Sequence, residues 1–162
     1  MKNVIRYYPI AIRLKGKKVL VVGGGPVAER KIKTLLTFGA VVRVISPDIT
    51  GALHRLVRRG RIEWLNRAIR SSDIKKDVGI VIAATSESPV NRKISQWAER
   101  QNILVNVVDK PSLCSFISPA VFRVSKAVVA VYTHGKDPVL SRDLKNFLKE
   151  RWNVFLSYRD RL

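Results

Sequence analysis

Lys17-Lys18-Val19-Leu20-Val21-Val22-Gly23-Gly24-Gly25-Pro26-Val27-Ala28-Glu29-Arg30-Lys31 is the stretch that decides how this chain folds. Val19 to Val22 is a short continuous apolar run, the signature of a buried strand. Three glycines follow at once, and then apolar residues return at helical spacing through Ile32, Leu35 and Leu36. Pro26 falls in the first helical turn, where a missing N–H costs little. The small residues are spaced Gly23-x-Gly25-x-x-Ala28, the dinucleotide-binding fingerprint with alanine in the third position. Gly23 permits the tight turn, Gly25 lets a pyrophosphate approach the backbone, and Ala28 lets the helix pack close to the strand. The free N–H groups of the first helical turn then face the phosphates.

Working outward, Ile10, Ile12 and Leu14 alternate before the glycine turn and predict a strand. The first helix is expected to stop near Phe38-Gly39. Val41–Ser46 predicts a second strand, whose end meets the adenosine ribose in such units. An Asp or Glu usually sits there; this chain has Ser46-Pro47-Asp48, so Asp48 or Ser46 is expected at the ribose. Arg43 points back along its strand and is badly placed for a 2′-phosphate, so the expected cofactor is NAD rather than NADP. A short helix from Thr50 to Arg59, a strand Ile62–Leu65, an apolar strand Val78–Thr85, a helix Val90–Gln101 and a strand Ile103–Val108 follow. This alternation predicts an α/β fold, a Rossmann-like, doubly wound parallel sheet. The pattern changes near Pro111. Two strands, Ser115–Phe122 and Ala127–Thr133, are joined by a short Arg123–Lys126 connection, and a long helix runs from Val139 to Tyr158. The expected division is a nucleotide-binding domain over 1–112 and a small strand-strand-helix element over 113–162, too slight to fold alone and suited to pairing with a second copy.

The chain has 162 residues with 31 Lys and Arg against 12 Asp and Glu, a formal net charge of +19. Such a surface attracts polyanions: nucleic acid, anionic lipid or a small polycarboxylate. No helix-turn-helix, zinc-finger or RRM signature is present, so nucleic acid is the least expected partner. Arg55, Arg58, Arg59 and Arg61 form the densest basic run and read as a solvated helix end before a binding patch. Cys114 stands alone, which excludes an internal disulfide, fits a reducing compartment and reads as a packing residue. No Cys and His set has metal-ligand spacing, so no protein-bound metal is expected. No secretory signal and no bilayer-length apolar run is seen, and the expected location is the cytoplasm. His54 reads as a surface residue. Ser115 and Ser118 read as partners of substrate carboxylates or of local backbone groups. Trp152, Phe155, Leu156 and Tyr158 recur at helical spacing and are expected in core or dimer packing.

Taken together, Tyr8-Pro9-Ile10, the glycine turn through Lys31, Ser46-Pro47, Ala83-Ala84-Thr85, Asn106-Val107-Val108-Asp109, Ser115-Phe116-Ile117-Ser118-Pro119-Ala120 and Pro138-Val139-Leu140-Ser141-Arg142 resemble the precorrin-2 dehydrogenases, which are also the N-terminal module of sirohaem synthases. The resemblance covers nearly the whole chain. It implies NAD-dependent oxidation of precorrin-2 to sirohydrochlorin and a homodimer joined through the part after Asp109. Some members of that family also insert iron. It further implies that Asp109 is catalytic and that Gly23, Gly25, Pro26, Val27, Pro47, Asp48 and Thr85 contact the cofactor. Thr133 stands where some members carry serine, and His134 where glycine is common. Thr133 and His134 join Ser115 as expected substrate contacts. Longer relatives carry more helix at the C-terminal end, so a less enclosed pocket is expected here. Two observations agree independently: the basic surface suits a polycarboxylate substrate, and an acid at a strand's carboxyl end can take the proton that leaves as a hydride departs. The alternative is a non-catalytic NAD-binding sensor with a basic surface for a partner. Both functions need Gly23 and Gly25, but only the enzyme needs Asp109.

Overall fold

The computed structural model describes residues 7–124 and 127–159. Contacts divide the chain into two compact units, one from Pro9 to Phe116 and one containing the chain from Ile117 onward together with Tyr7 and Tyr8.

In the first unit five strands, β1 (Lys18–Val22), β2 (Val41–Ile45), β3 (Glu63–Leu65), β4 (Ile80–Ala83) and β5 (Leu104–Val107), lie in the order β3-β2-β1-β4-β5. Every pairing is parallel. Helices α1 (Pro26–Thr37), α2 (Gly51–Arg58) and α3 (Ser88–Arg100) connect them. The chain winds outward from β1 to β3, then returns to β4 on the other side of β1. The order therefore reverses between β1 and β4, and ligands in open α/β sheets bind at that crevice, beyond the carboxyl ends of the strands.

The apolar runs of β1 and β4 follow from burial on both faces. Val19 and Val21 pack with Ala28 and Ile32 of α1 and Leu53 of α2 on one face. Leu20 and Val22 pack with Ile94 and Ala98 of α3 on the other. Ala28 is fully buried, as the close approach of α1 to the sheet requires.

Residues 10–14, expected as a strand, are not one. Both flanks of β1, the strand they lead into, are already taken by β2 and β4, so residues 10–14 cannot pair with it. Ile10 and Ile12 stay exposed, and Leu14 packs against the core beside a turn in which Lys17 N–H donates to the Leu14 carbonyl at 2.9 Å. Residues 115–119 are also not a strand. Ser115 N–H donates to the Val105 carbonyl at 2.9 Å, and the Ser115 hydroxyl accepts from Val105 N–H at 2.7 Å. Two residues on along β5, Val107 N–H donates to the Cys114 sulfur at 3.1 Å, and that thiol lies 3.2 Å from the Val107 carbonyl. Side chains of the returning segment thus seal the outer edge of β5.

In the second unit, β6 (Ala120–Val124) and β7 (Ala127–Val131) form an antiparallel pair; residues 125–126 of their connection lie outside the described residues. The expected single helix is two, α4 (Pro138–Glu150) and α5 (Trp152–Arg159), divided at Arg151. Just past the break the Trp152 ring packs edge-on against Phe122, with centroids 5.8 Å apart. Phe155 and Tyr158 remain exposed.

Candidate functional site

The three glycines of the β1–α1 turn differ in what surrounds them. Gly23 has φ +110°, and a Cβ there would stand 2.3 Å from the Ala84 carbonyl oxygen on the neighbouring strand end. Gly24 would place a Cβ 2.0 Å from the Asp48 carbonyl oxygen, and its own carbonyl accepts from Thr50 N–H at 3.0 Å. The sequence reading passed over Gly24, yet it seats the β2–α2 loop. Gly25 differs from both. Its φ of −78° is open to any residue, and a Cβ there meets nothing within 4 Å. Among the described residues nothing requires glycine at 25.

Gly25, Pro26 and Val27 are exposed. No side chain caps α1, and its first intrahelical bond runs from Glu29 N–H to the Gly25 carbonyl. The N–H groups of Val27 and Ala28 precede that bond and have no helical acceptor. Positive potential gathers there, which fits a pyrophosphate. Pro47 and Asp48 are exposed at the end of β2. The loop carrying them is braced from α1: the Thr50 hydroxyl donates to Glu29 at 2.7 Å and also accepts from Leu53 N–H, capping α2. Lys33 and Thr50 together hold the Glu29 carboxyl below the usual carboxylate range. Arg43 is engaged by Glu63 at 2.8 Å.

The ends of β4 and β5 are joined by one buried amide, Asn91 on α3, only 1% exposed. Its Oδ1 accepts from the Thr85 hydroxyl at 2.8 Å and from Thr85 N–H at 3.2 Å. Its Nδ2 donates to the Thr85 carbonyl at 3.0 Å and reaches Asp109 Oδ1 at 3.4 Å. Ser88, in the first turn of α3, lies 3.4 Å from the other Asp109 oxygen. Asp109 is exposed. Thr85 and Asp109 therefore lie at adjacent strand ends and share one clasp. Asn91 was not anticipated from sequence. Its signal was position: Asn91, Ile94, Ser95 and Ala98 form the buried stripe of α3, and a polar residue in such a stripe needs partners.

The remaining expected site residues are held locally. The Ser115 hydroxyl is bonded to Val105. In the second unit the Thr133 hydroxyl donates to the Asp137 carbonyl at 2.7 Å, accepts from Asp137 N–H at 3.0 Å and lies 3.0 Å from the Ser141 hydroxyl. It thereby shapes the turn into α4. His134 takes the left-handed conformation, with φ 53°; its Nδ1 accepts from Tyr7 N–H at 3.4 Å and its ring meets Tyr132 edge-on. Burial pushes the Cys114 thiol up, consistent with a neutral S–H bonded to the backbone. Among the described residues no three His, Cys, Asp or Glu side chains converge as a metal site would need, and no helix is long and apolar enough to cross a membrane.

Comparison with known proteins gives the same outline. "Siroheme synthase 1" of Serratia proteamaculans (strain 568) is 41% identical over 143 residues, which is 88% of this chain and 30% of that protein. The "Siroheme synthase" of Stutzerimonas stutzeri (strain A1501) is 44% identical over 138 residues, 85% of this chain and 30% of that protein. The chain thus spans less than a third of the length of these relatives. The solved structure titled "SirC, precorrin-2 dehydrogenase" superposes with a TM-score of 0.74 at 28% identity, over 90% of this chain and 71% of that one. The profile of a family described as "Putative NAD(P)-binding" matches residues 10–120, the glycine turn, Thr85 and Asp109 included; the chain belongs to that family.

Proposed function

We propose that this chain is an NAD-dependent dehydrogenase module that oxidises precorrin-2 to sirohydrochlorin, with Asp109 as its acid–base group. The observation that carries the reading is the Asn91 clasp. It fixes a carboxylate at the end of β5, beside Thr85 and one strand beyond the crevice between β1 and β4.

Gly23, Gly25, Pro26 and Val27 would hold the pyrophosphate, Pro47 and Asp48 the adenosine end, and Thr85 the approach to the nicotinamide. When bound, the cofactor supplies a hydride acceptor. Arg43 is paired with Glu63 and not offered to a 2′-phosphate, which supports NAD over NADP. The oxidation removes a hydride and a proton from the macrocycle. Asp109, exposed and acceptor-rich, takes the proton and passes it to water, while Asn91 and Ser88 keep its carboxylate facing outward. The homodimer is supported by an apolar stripe on the second unit: Val139, Leu140, Leu144 and Phe147 of α4 are exposed at i, i+1, i+5 and i+8, with Val154 and Phe155 exposed on α5. Iron insertion by the same carboxylate is compatible with this reading and is tested in the same assay.

The test is an anaerobic assay with precorrin-2 and NAD or NADP, following the sirohydrochlorin spectrum and then adding ferrous ion. Asp109→Asn should lower turnover by about 10²-fold or more while NAD binding persists. Wild-type turnover in Asp109→Asn removes the role given to that residue. Retained NAD binding with no turnover by the unsubstituted chain would make it a sensor.

A further inference from the structure

Beside Asp109 lies a second feature. Ser88, Pro89, Arg92, Lys93 and Gln96 of α3, with Lys110 from the turn after β5, line a cleft of about 380 Å³. Pro89, Arg92, Lys93 and Gln96 are spaced i, i+3, i+4 and i+7, one face of the helix. The opposite stripe, Asn91, Ile94, Ser95 and Ala98, is buried. This face therefore contributes nothing to the core.

Three cationic side chains and no carboxylate border the cleft, whose wall is mostly apolar and formed largely by their stems. None of Arg92, Lys93 and Lys110 forms an ion pair among the described residues, although Lys18, Lys33, Arg43, Arg67 and Arg142 all do. Three like charges around one concavity repel, and an anion seated among them relieves the repulsion. The cleft is also joined to the proposed reaction centre through one residue: Ser88 lines it and lies 3.4 Å from Asp109 Oδ2. It lies away from the glycine turn proposed for the pyrophosphate. Two strand spacings, about 10 Å, separate β1 from β5.

We propose that this cleft is a specificity site that takes a peripheral carboxylate of the tetrapyrrole while the reacting carbon lies at Asp109. Arg92 and Lys93 supply the charge, the Arg92 guanidinium being suited to grip both carboxylate oxygens. Lys110, next to Asp109 in sequence, sets the reach between the two subsites. The proposal rests on the dehydrogenase reading and adds the residues that tell a polycarboxylate macrocycle from an uncharged one.

The test uses the full chain and the double variant Arg92→Gln/Lys93→Gln. Both side chains are exposed, so the fold should be unaffected, with circular dichroism as the control. Sirohydrochlorin binding is titrated by absorbance, NAD binding by fluorescence, and KM and kcat for precorrin-2 are measured at several salt concentrations. The double variant should weaken sirohydrochlorin binding and raise KM about tenfold, with kcat and NAD affinity within about twofold. Its KM should also depend less steeply on salt. Unchanged sirohydrochlorin affinity and KM in a turning-over enzyme overturn the cleft and leave the dehydrogenase reading standing. Weakened NAD binding with unchanged tetrapyrrole affinity assigns the cations to the cofactor and overturns it too. Failure of the unsubstituted chain to bind or oxidise the tetrapyrrole overturns both.

Discussion

Gly23 and Gly25 look alike in the motif and separate in the structure. A Cβ on Gly23 collides with the Ala84 backbone in a left-handed residue, whereas a Cβ on Gly25 meets open space. Gly23→Ala should therefore be a folding variant, losing about 2 kcal/mol or more through strain and forced movement of β4. Gly25→Ala should melt with the parent protein yet bind NAD at least about tenfold more weakly, because the added methyl occupies the approach to the turn. Thermal melts and an NAD titration on the two variants check this. A parallel loss of stability at Gly25 would remove the case that a ligand, and not the chain, selects glycine there. The need for glycine at 23 could be read from the spacing. Gly24 and Asn91 could not, because each is defined by a loop or strand end distant in sequence: Asp48 for one, Thr85 and Asp109 for the other.

Among the elements, the connection from β3 to β4 is secured by an ion pair that the composition conceals. Arg67 grips both oxygens of Asp73, at 2.6 and 2.8 Å, and Arg70 N–H donates to the same carboxylate at 2.8 Å. The Arg67 guanidinium holds the Asp73 carboxyl below its ordinary value. An unfolded aspartate titrates near 3.9. The stabilisation is therefore complete above that value and is lost as pH falls through the lower, folded one. Asp73→Asn should lower Tm by roughly a few degrees at neutral pH, and the gap from the parent protein should close below about pH 4. A gap that is the same at pH 3 and pH 7 would show that the charge is irrelevant. The helices and parallel strands of this unit were readable from period and glycine punctuation. The missing strand at 10–14 and the late start of the strand expected over 115–122, which begins only at Ala120, show the limit of that reading. Apolar alternation states that a segment could pair, whereas pairing also needs a free edge; β1 has none, and β5 spends its edge on Ser115 and Cys114.

For the molecule as a whole, α4 and α5 carry large exposed apolar side chains, Leu144, Phe147 and Phe155 among them. Phe147→Glu with Leu144→Glu should convert a dimer into a monomer by light scattering, while the first unit keeps its NAD affinity. A monomeric parent protein would sink the pairing. The apolar spacing of this segment was visible in the sequence, but its exposure was not, because period marks a stripe without saying what covers it. The glycine turn was the most readable part of the candidate site, since it is contiguous; Ser88 and Asp109 come from α3 and from the turn after β5, and only folding brings them together. The sealed flank of β5 carries a consequence for handling the protein. With one border of the sheet plugged by a hydroxyl and a thiol, and the other, β3, only three residues long, the sheet gives stray chains little to zip onto. Precipitation in concentrated stocks should then track the greasy helix surface, so detergent or a charge-bearing substitution there, rather than any change to the strands, is the remedy.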